Sequence, residues 1–96
     1  MATVVVTATA RADLERLIRT HSLPASTRER TRSAIEPLRR FPRMGRALMG
    51  RWRDFRVILG PWPWMLVVYV YDDATDVVAI VAIQDSRSAG TMTSER

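Results

Sequence analysis

Two apolar runs in the second half of the chain constrain its fold more than any other feature. One surrounds Val67 and the other spans residues 77–81, and both are rich in β-branched side chains. Apolar residues occupy nearly every position, which is typical of strands that are buried on both faces. We therefore expect strands over residues 64–71 and 77–84, lying at the centre of a sheet.

The first twenty residues change their hydrophobic period from that of a strand to that of a helix. Residues 4–8 form a short β-branched run that predicts a strand. After this run apolar side chains recur at helical spacing, so an amphipathic helix is expected to follow. Its apolar face consists of Ala10, Leu14, Leu17 and Ile18.

A second helix is expected to begin at Ser26. Ser26 and Glu29 have the spacing of a capping box, in which each side chain accepts a hydrogen bond from a free backbone N–H. Pro37 lacks an amide proton and its ring clashes with the carbonyl four residues earlier, so the helix should kink or end there. Residues 43–50 contain two glycines and predict a loop, and residues 54–59 predict a further strand.

This order of elements predicts an α+β fold of the type β-α-α-β-β-β. Two N-terminal helices would pack on one face of a mostly antiparallel four-stranded sheet. The 96 residues of the chain suit one domain with one core. We expect that domain over residues 1–88 and a polar, flexible tail over residues 89–96.

The residue types and motifs that the chain lacks exclude several kinds of chemical site. The chain has no cysteine, and it shows neither the features of a secretion signal nor an apolar stretch long enough to cross a membrane. Disulfides and thiolate metal sites are therefore excluded, and no other metal-ligand spacing or phosphate-binding glycine loop is found. We expect a cytoplasmic protein that needs no metal or cofactor and does not contact a membrane.

The basic residues are all arginines. Fifteen arginines and ten acidic residues give the chain a net charge of +5, without a single lysine. A GC-rich genome can produce such a bias without a functional reason. Alternatively, guanidinium groups bind phosphates and carboxylates with two prongs, so the surface would suit nucleic acid or an acidic protein partner. Further arginines lie on the outer faces of the two predicted helices. These faces could be simply solvated, or they could contact nucleic acid.

A series of short motifs runs in order through residues 3–88. Its residues are Thr7, Asp13, Leu14, Ile35, Leu38, Pro42, Gly45, Arg46, Leu48, Gly50, Arg56, Tyr69, Val70, Tyr71, Asp72 and Arg87. In their order and total length these motifs resemble the RelE/ParE toxin superfamily of type II toxin–antitoxin systems. The resemblance implies a compact toxin that a cognate antitoxin wraps with an extended or helical segment. A higher-order toxin–antitoxin complex would also be consistent with it.

The resemblance implies one of two targets. ParE-like members inhibit DNA gyrase and cut nothing, whereas RelE-like members are ribosome-dependent endoribonucleases that cut messenger RNA. The lysines that RelE-like nucleases carry on the second strand are missing here, Met65 stands where they have an arginine, and Gln84 and Asp85 stand where many of these toxins have a histidine. These departures favour a ParE-like toxin. A RelE-like nuclease with an altered catalytic set, or a toxin-like binding module without toxicity, are the alternatives.

Cleavage of RNA through its 2′-hydroxyl would need a base, an acid and positive charge on the phosphate. The candidates for the charge are Arg53, Arg56 and Arg87, and the candidates for proton transfer are Tyr69, Tyr71, Asp54 and Asp85. Cross-strand packing is the alternative role of the two tyrosines. The single histidine, His21, is expected at the end of the first helix, far from the sheet arginines, where it would interact favourably with the helix terminus.

Two groups of residues are candidates for binding a partner. Trp52, Trp62 and Trp64 lie around one predicted hairpin and are expected to form a rigid knob at an interface, although one or two of them could belong to the core. Arg56 should face away from its apolar neighbours, toward an open face of the sheet, where Arg87 could join it in a cationic patch. Solvation, or pairing with nearby aspartates, is the alternative for both arginines.

Overall fold

Five strands and two α-helices form the part of the chain that the structure, a computed structural model, describes, namely residues 1–88. The helices are α1 (Ala8–Thr20) and α2 (Thr27–Ile35). The strands are β1 (Thr3–Val6), β2 (Arg46–Ala47), β3 (Arg56–Leu59), β4 (Met65–Asp72) and β5 (Val77–Asp85). Short 3-10 turns at Glu36–Arg39 and Gly50–Trp52 lie on either side of β2. The tail expected over residues 89–96 lies outside the described residues.

The strands form one sheet in the order β1-β5-β4-β3-β2. β1 pairs in parallel with β5, and every other neighbouring pair is antiparallel. The prediction of an α+β fold with two helices on a mostly antiparallel sheet is confirmed, as is the interior position of the last two strands. The predicted strand count of four was one too low, because β2 pairs with β3 inside the segment expected to be a loop. A strand of two residues is too short to show a hydrophobic period.

The junction between β1 and α1 lies earlier than the sequence predicted. The Thr7 side chain accepts a hydrogen bond from the Ala10 N–H at 3.2 Å and so caps the helix. The Thr7 hydroxyl also donates to the Ile80 carbonyl at 2.8 Å. Thr7 therefore ends the strand and starts the helix, and the predicted strand over residues 4–8 was wrong at its last residue, Ala8, which is helical.

The second helix ends for the predicted reason but starts without the predicted cap. Ser26 precedes α2 but makes no side-chain cap, because its backbone is already α-helical (φ −69°, ψ −7°) rather than extended as a capping residue requires. The predicted capping box was therefore wrong. Pro37 has the predicted effect: the α-helix ends at Ile35 and the chain continues as a 3-10 turn.

Both faces of the sheet are covered, but unequally. The larger core lies between the sheet and the helices, and its buried residues are Ala2, Ala10, Leu17, Ile35, Leu38, Met65, Val67, Tyr69, Val78, Ile80 and Ile83. On the opposite face, Leu48, Val57, Leu66 and Val68 form a second, smaller core. Trp52 and Phe55 pack against this second core, so the segment between β2 and β3 covers part of that face. Within residues 1–88, no helix is long and apolar enough to cross a membrane.

Candidate functional site

Four side chains meet where α1, the β3–β4 turn and the end of β5 converge, and we call them the Asp85 cluster: His21, Trp64, Asp85 and Arg87. The His21 ring stacks on Trp64, with 4.7 Å between ring centroids and 17° between the ring planes. Its Nε2 lies 3.0 Å from Asp85 Oδ2. Arg87 donates to both carboxylate oxygens, from Nε and Nη2, each at 2.9 Å. Its guanidinium also lies 4.8 Å from the Trp64 ring centroid.

The direction of α1 brings His21 to this site. β1 is parallel to β5, and α1 packs along the second half of β5, where Asp13 Oδ2 accepts a hydrogen bond from the Ile83 N–H at 3.0 Å. At its C-terminus the helix reaches the end of β5, so His21 contacts Asp85. The expectation that His21 lies far from the sheet arginines was wrong, since Arg87 binds the same carboxylate.

The cluster holds Asp85 as a carboxylate. Its side chain is only 9% exposed. The hydrogen bonds from the Arg87 side chain are the main cause that holds the pKa of Asp85 well below its ordinary value, and the Arg87 backbone N–H and His21 act in the same direction. Both ring nitrogens of His21 lie within hydrogen-bond distance of a partner. Nε2 contacts Asp85, and Nδ1 lies 3.0 Å from the Thr20 hydroxyl.

Tyr69 and Arg56 both form hydrogen bonds with the backbone of the loop before β2. Tyr69 is fully buried, its hydroxyl accepts a hydrogen bond from the Gly45 N–H at 2.9 Å, and burial raises its pKa. Arg56 lies opposite Tyr69 and donates from Nη1 to the carbonyls of Gly45 and Arg43, at 2.8 and 3.2 Å. Arg56 thus faces the helix side, and the predicted open face was wrong, because its apolar neighbours Phe55 and Val57 fill the second core instead.

The hydroxyl of Tyr71 is hydrogen-bonded to the turn that follows β4. Its hydroxyl donates to Asp76 at 2.7 Å, and this hydrogen bond is the main cause that raises the pKa of Tyr71. The guanidinium of Arg43 lies 5.0 Å from the Tyr71 ring centroid and also pairs with Asp73 at 3.0 Å. Tyr71 therefore belongs to a local network with a polar rim.

The structure does not bring Arg56 and Arg87 together. In the register of the sheet Arg56 lies opposite Tyr69, whereas Asp85, which binds Arg87, lies opposite Met65. Four residues along β4 correspond to about 13 Å. Arg87 follows the alternative that the sequence left open, pairing with a nearby aspartate.

The three tryptophans divide between the two faces of the sheet. Trp52 packs against the second core, with its ring centroid 5.9 Å from that of Phe55. Trp62 and Trp64 pack against the larger core on the helix side. The expected single knob is therefore absent among these residues. The indole N–H of Trp62 is buried without a hydrogen-bond partner in the described residues, beneath the Arg30 guanidinium at 5.5 Å.

A groove of about 420 Å³ runs between α1, α2 and the exposed edge of β1. Its apolar lining consists of Val4, Val6, Leu14, Ile35 and Ile83. Its charged and polar lining consists of Arg11, Glu15, Arg28, Thr31, Arg32, Glu36 and Arg39. Four arginines against two glutamates leave this rim cationic. Sequence reasoning missed the groove, because the helix arginines and the apolar residues behind them come from separate elements.

The ion pair of Arg28 and Glu15 joins the two helices across this groove. Arg28 donates from Nε and Nη2 to the two oxygens of Glu15, at 2.6 and 2.5 Å. Both side chains are exposed. Hydrogen bonds from Arg28 lower the pKa of Glu15.

As for metals, residues 1–88 contain no group of three or more His, Cys, Asp or Glu side chains placed to hold an ion.

Comparisons with known proteins agree with this fold. A family model described as "ParE toxin of type II toxin-antitoxin system, parDE" matches residues 4–90. The RelBE2 toxin–antitoxin complex of Mycobacterium tuberculosis contains a chain that is 27% identical, with a TM-score of 0.59 over 88% of this chain and 96% of that chain. No curated protein sequence gives a significant match.

Two further solved structures support the fold alone. One belongs to the chromosomal ParDE system of Pseudomonas aeruginosa, with a TM-score of 0.67 at 13% identity over 88% of this chain and 96% of that chain. The other is a copper-bound mutant toxin of Helicobacter pylori, with a TM-score of 0.64 at 21% identity over 88% of this chain and 94% of that chain.

Proposed function

The chain belongs to the ParE toxin family of type II toxin–antitoxin systems, and from this premise we propose that it inhibits an essential protein target such as DNA gyrase by binding, without cutting RNA. It would act in the cytoplasm and be neutralised by a cognate antitoxin. The alternative is a RelE-like endoribonuclease that acts on ribosome-bound messenger RNA. It would require side chains that transfer protons and side chains that bind the phosphate.

The observation that carries the proposal is that the three candidates for proton transfer in the sheet are already engaged, while the fourth, Asp54, is exposed in a turn outside the sheet. A nuclease needs a base that accepts the 2′-hydroxyl proton near neutral pH. Asp85 has a lowered pKa and already accepts hydrogen bonds from Arg87, so it is a weak base. Tyr69 is buried and Tyr71 donates to Asp76, and both have raised pKa values, so neither readily becomes a phenolate.

The positions of the arginines also favour inhibition by binding over cleavage of RNA. Phosphoryl chemistry would need several cations converging on one phosphate. Arg56 holds backbone carbonyls at one end of the sheet and Arg87 holds Asp85 at the other. Arg53 is exposed in the turn between Trp52 and Phe55. This separation favours inhibition by surface contact over cleavage.

The groove beside β1 supports the antitoxin as a partner. Its apolar floor suits the apolar stripe of an amphipathic segment, and its cationic rim suits acidic residues on that segment. β1 is also an edge strand, so its outer backbone groups, apart from the Val6 carbonyl that accepts a hydrogen bond from Arg11 at 3.4 Å, are available for pairing with an extended segment. We therefore propose that an acidic segment of the antitoxin occupies this groove.

The test adds the purified toxin to two reactions, gyrase supercoiling and a translating extract. The proposal expects blocked supercoiling or stalled cleavage complexes, with messenger RNA left intact. A matched sample premixed with the antitoxin encoded beside the toxin gene should restore supercoiling. Truncated messages together with normal supercoiling would refute the proposal and support the nuclease alternative.

A further inference from the structure

The segment that leads into and out of β2 concentrates positive charge. Residues 39–53 contain six arginines and no acidic residue, and the next carboxylate in the chain is Asp54. Arg46 and Arg53 are exposed and form no ion pair with another described residue. Uncompensated guanidinium groups on one segment create a local field that attracts an acidic surface.

Exposed methionines lie among these arginines. Met44 is 52% exposed and Met49 is 78% exposed. Methionine is flexible and polarisable, and is common at surfaces that adapt to a protein partner. An exposed apolar side chain between cations is also typical of interface centres, where arginine and methionine are enriched.

Only one of the two aromatic residues of the segment is exposed: Phe41 is 57% exposed, whereas Trp52 is partly buried. Trp52 packs against Phe55 and the second core, and the Arg51 guanidinium lies 5.0 Å from its ring centroid. Single-stranded nucleic acid is held by aromatic rings on which bases stack. A single exposed ring does not provide a series of stacking surfaces, so the segment, with its two exposed methionines, suits an acidic protein better than a nucleic acid.

The position of β2 separates this surface from the groove. β2 and β1 are the two opposite edge strands of the sheet. Four strand spacings amount to about 19 Å. A ligand confined to the groove beside β1 would leave the edge at β2 uncovered.

We propose that the exposed residues Met44, Arg46, Met49 and Arg53, which we call the β2 edge, dock an acidic surface of the protein that the toxin inhibits. This proposal rests on the proposed function, because it assumes that the toxin acts by binding a protein. The arginines would pair with carboxylates of the target, and Met49 would enter an apolar recess between them.

The test compares three charge reversals in the full chain: Arg46→Glu, Arg53→Glu and, as a control on α1, Arg19→Glu. Each lowers the net charge of +5 by two, so effects of total charge are matched. We expect each β2-edge reversal to raise the toxin concentration for half-inhibition of gyrase supercoiling by about tenfold or more. The control should change it by less than about threefold. Thermal unfolding checks that all three variants are folded.

A fourth variant, Met49→Ser, removes the apolar contact without changing charge and is expected to act in the same direction. Unchanged inhibition by Arg46→Glu, Arg53→Glu and Met49→Ser would overturn the proposal, as would an equal loss in the control. A labelled single-stranded oligonucleotide that binds the wild type but neither reversal would assign the surface to nucleic acid and also overturn it.

Growth arrest on expression separates this proposal from the proposed function. If the wild type arrests growth but leaves gyrase active, the gyrase assignment fails, and the same variants are then compared by arrest. Loss of arrest in the β2-edge variants, with arrest retained in Arg19→Glu, supports the docking surface whatever the target is. Full arrest in every variant, or no arrest by the wild type, overturns it.

Discussion

Replacing Asp85 by asparagine is the sharpest test of how the end of α1 is fixed to the sheet. The Asp85 carboxylate accepts three hydrogen bonds from Arg87, one from its backbone N–H and two from its guanidinium, and Nε2 of His21 lies 3.0 Å from it. An asparagine keeps the shape and one oxygen acceptor, but it loses the charge and presents an amide to the guanidinium.

The size of the effect follows from the exposure of the partners. Hydrogen bonds to a charged group contribute about 1.5–3 kcal/mol each when they are buried. Asp85 is 9% exposed but the Arg87 side chain is 60% exposed, so solvent screens part of this energy. We expect Asp85→Asn to lower the free energy of unfolding by about 2 kcal/mol at pH 7. For a chain of this size that corresponds to a Tm lower by roughly 8–16 °C.

The pH dependence has a definite sign. The folded-state pKa of Asp85 lies below its unfolded value, which is about 3.9. Its stabilising contribution is therefore complete above the unfolded pKa and is lost as the pH falls toward the folded pKa. The contribution of the Asp85 charge should therefore be complete above about pH 5, and the difference in stability between wild type and Asp85→Asn should shrink by pH 3.

Urea unfolding followed by tryptophan fluorescence measures this difference, because Trp64 lies in the Asp85 cluster and urea does not screen charges. The matched control is Asp54→Asn, which removes an exposed carboxylate and should change stability by less than about 0.5 kcal/mol. Equal stability of Asp85→Asn and wild type at pH 7, or a difference that persists in full at pH 3, would refute the reasoning.

Four other variants test separate parts of the structure. Gly45→Ala should lower the unfolding free energy by about 1–3 kcal/mol in urea titration, because its Cβ would lie 2.6 Å from Tyr69 Oη and 2.7 Å from Cε1. Arg32→Glu, on the rim of the groove, should weaken antitoxin binding about tenfold by calorimetry and so restore growth arrest in cells that also express the antitoxin. Tyr71→Phe should leave growth arrest unchanged, since its hydroxyl serves Asp76, and a large loss of arrest would instead favour the nuclease alternative. Arg87→Lys should give a melting temperature between those of wild type and Asp85→Asn, because an ammonium group cannot bind both carboxylate oxygens as the guanidinium does.

Periodicity predicted most of the fold because the longer elements repeat their pattern over several turns or pleats. The apolar face of α1 and the strands β4 and β5 are of this kind. The elements that were missed or misplaced are set by single contacts. β2 spans two residues, and α1 starts one residue earlier than expected because Thr7 caps it.

The site was harder to predict because it depends on which face a residue takes and on where each chain segment ends. The alternation around Arg56 was interpreted correctly, but both faces of the sheet are covered, so the side opposite Phe55 and Val57 is the helix side. The position of His21 depends on the length and direction of α1 against β5. Neither fact is contained in a local pattern, since each arises from pairing between distant segments.

The structure also bears on the choice that the all-arginine composition left open. Arg28 and Arg87 each bind both oxygens of a carboxylate through two different guanidinium nitrogens. Two-pronged binding of this kind requires a guanidinium, because a lysine ammonium is a single point charge. At these two positions arginine therefore contributes to the structure itself, whatever the origin of the bias. Arg46 and Arg53 of the β2 edge form no ion pair with another described residue, so their guanidinium groups are available for the contact with another molecule that we propose.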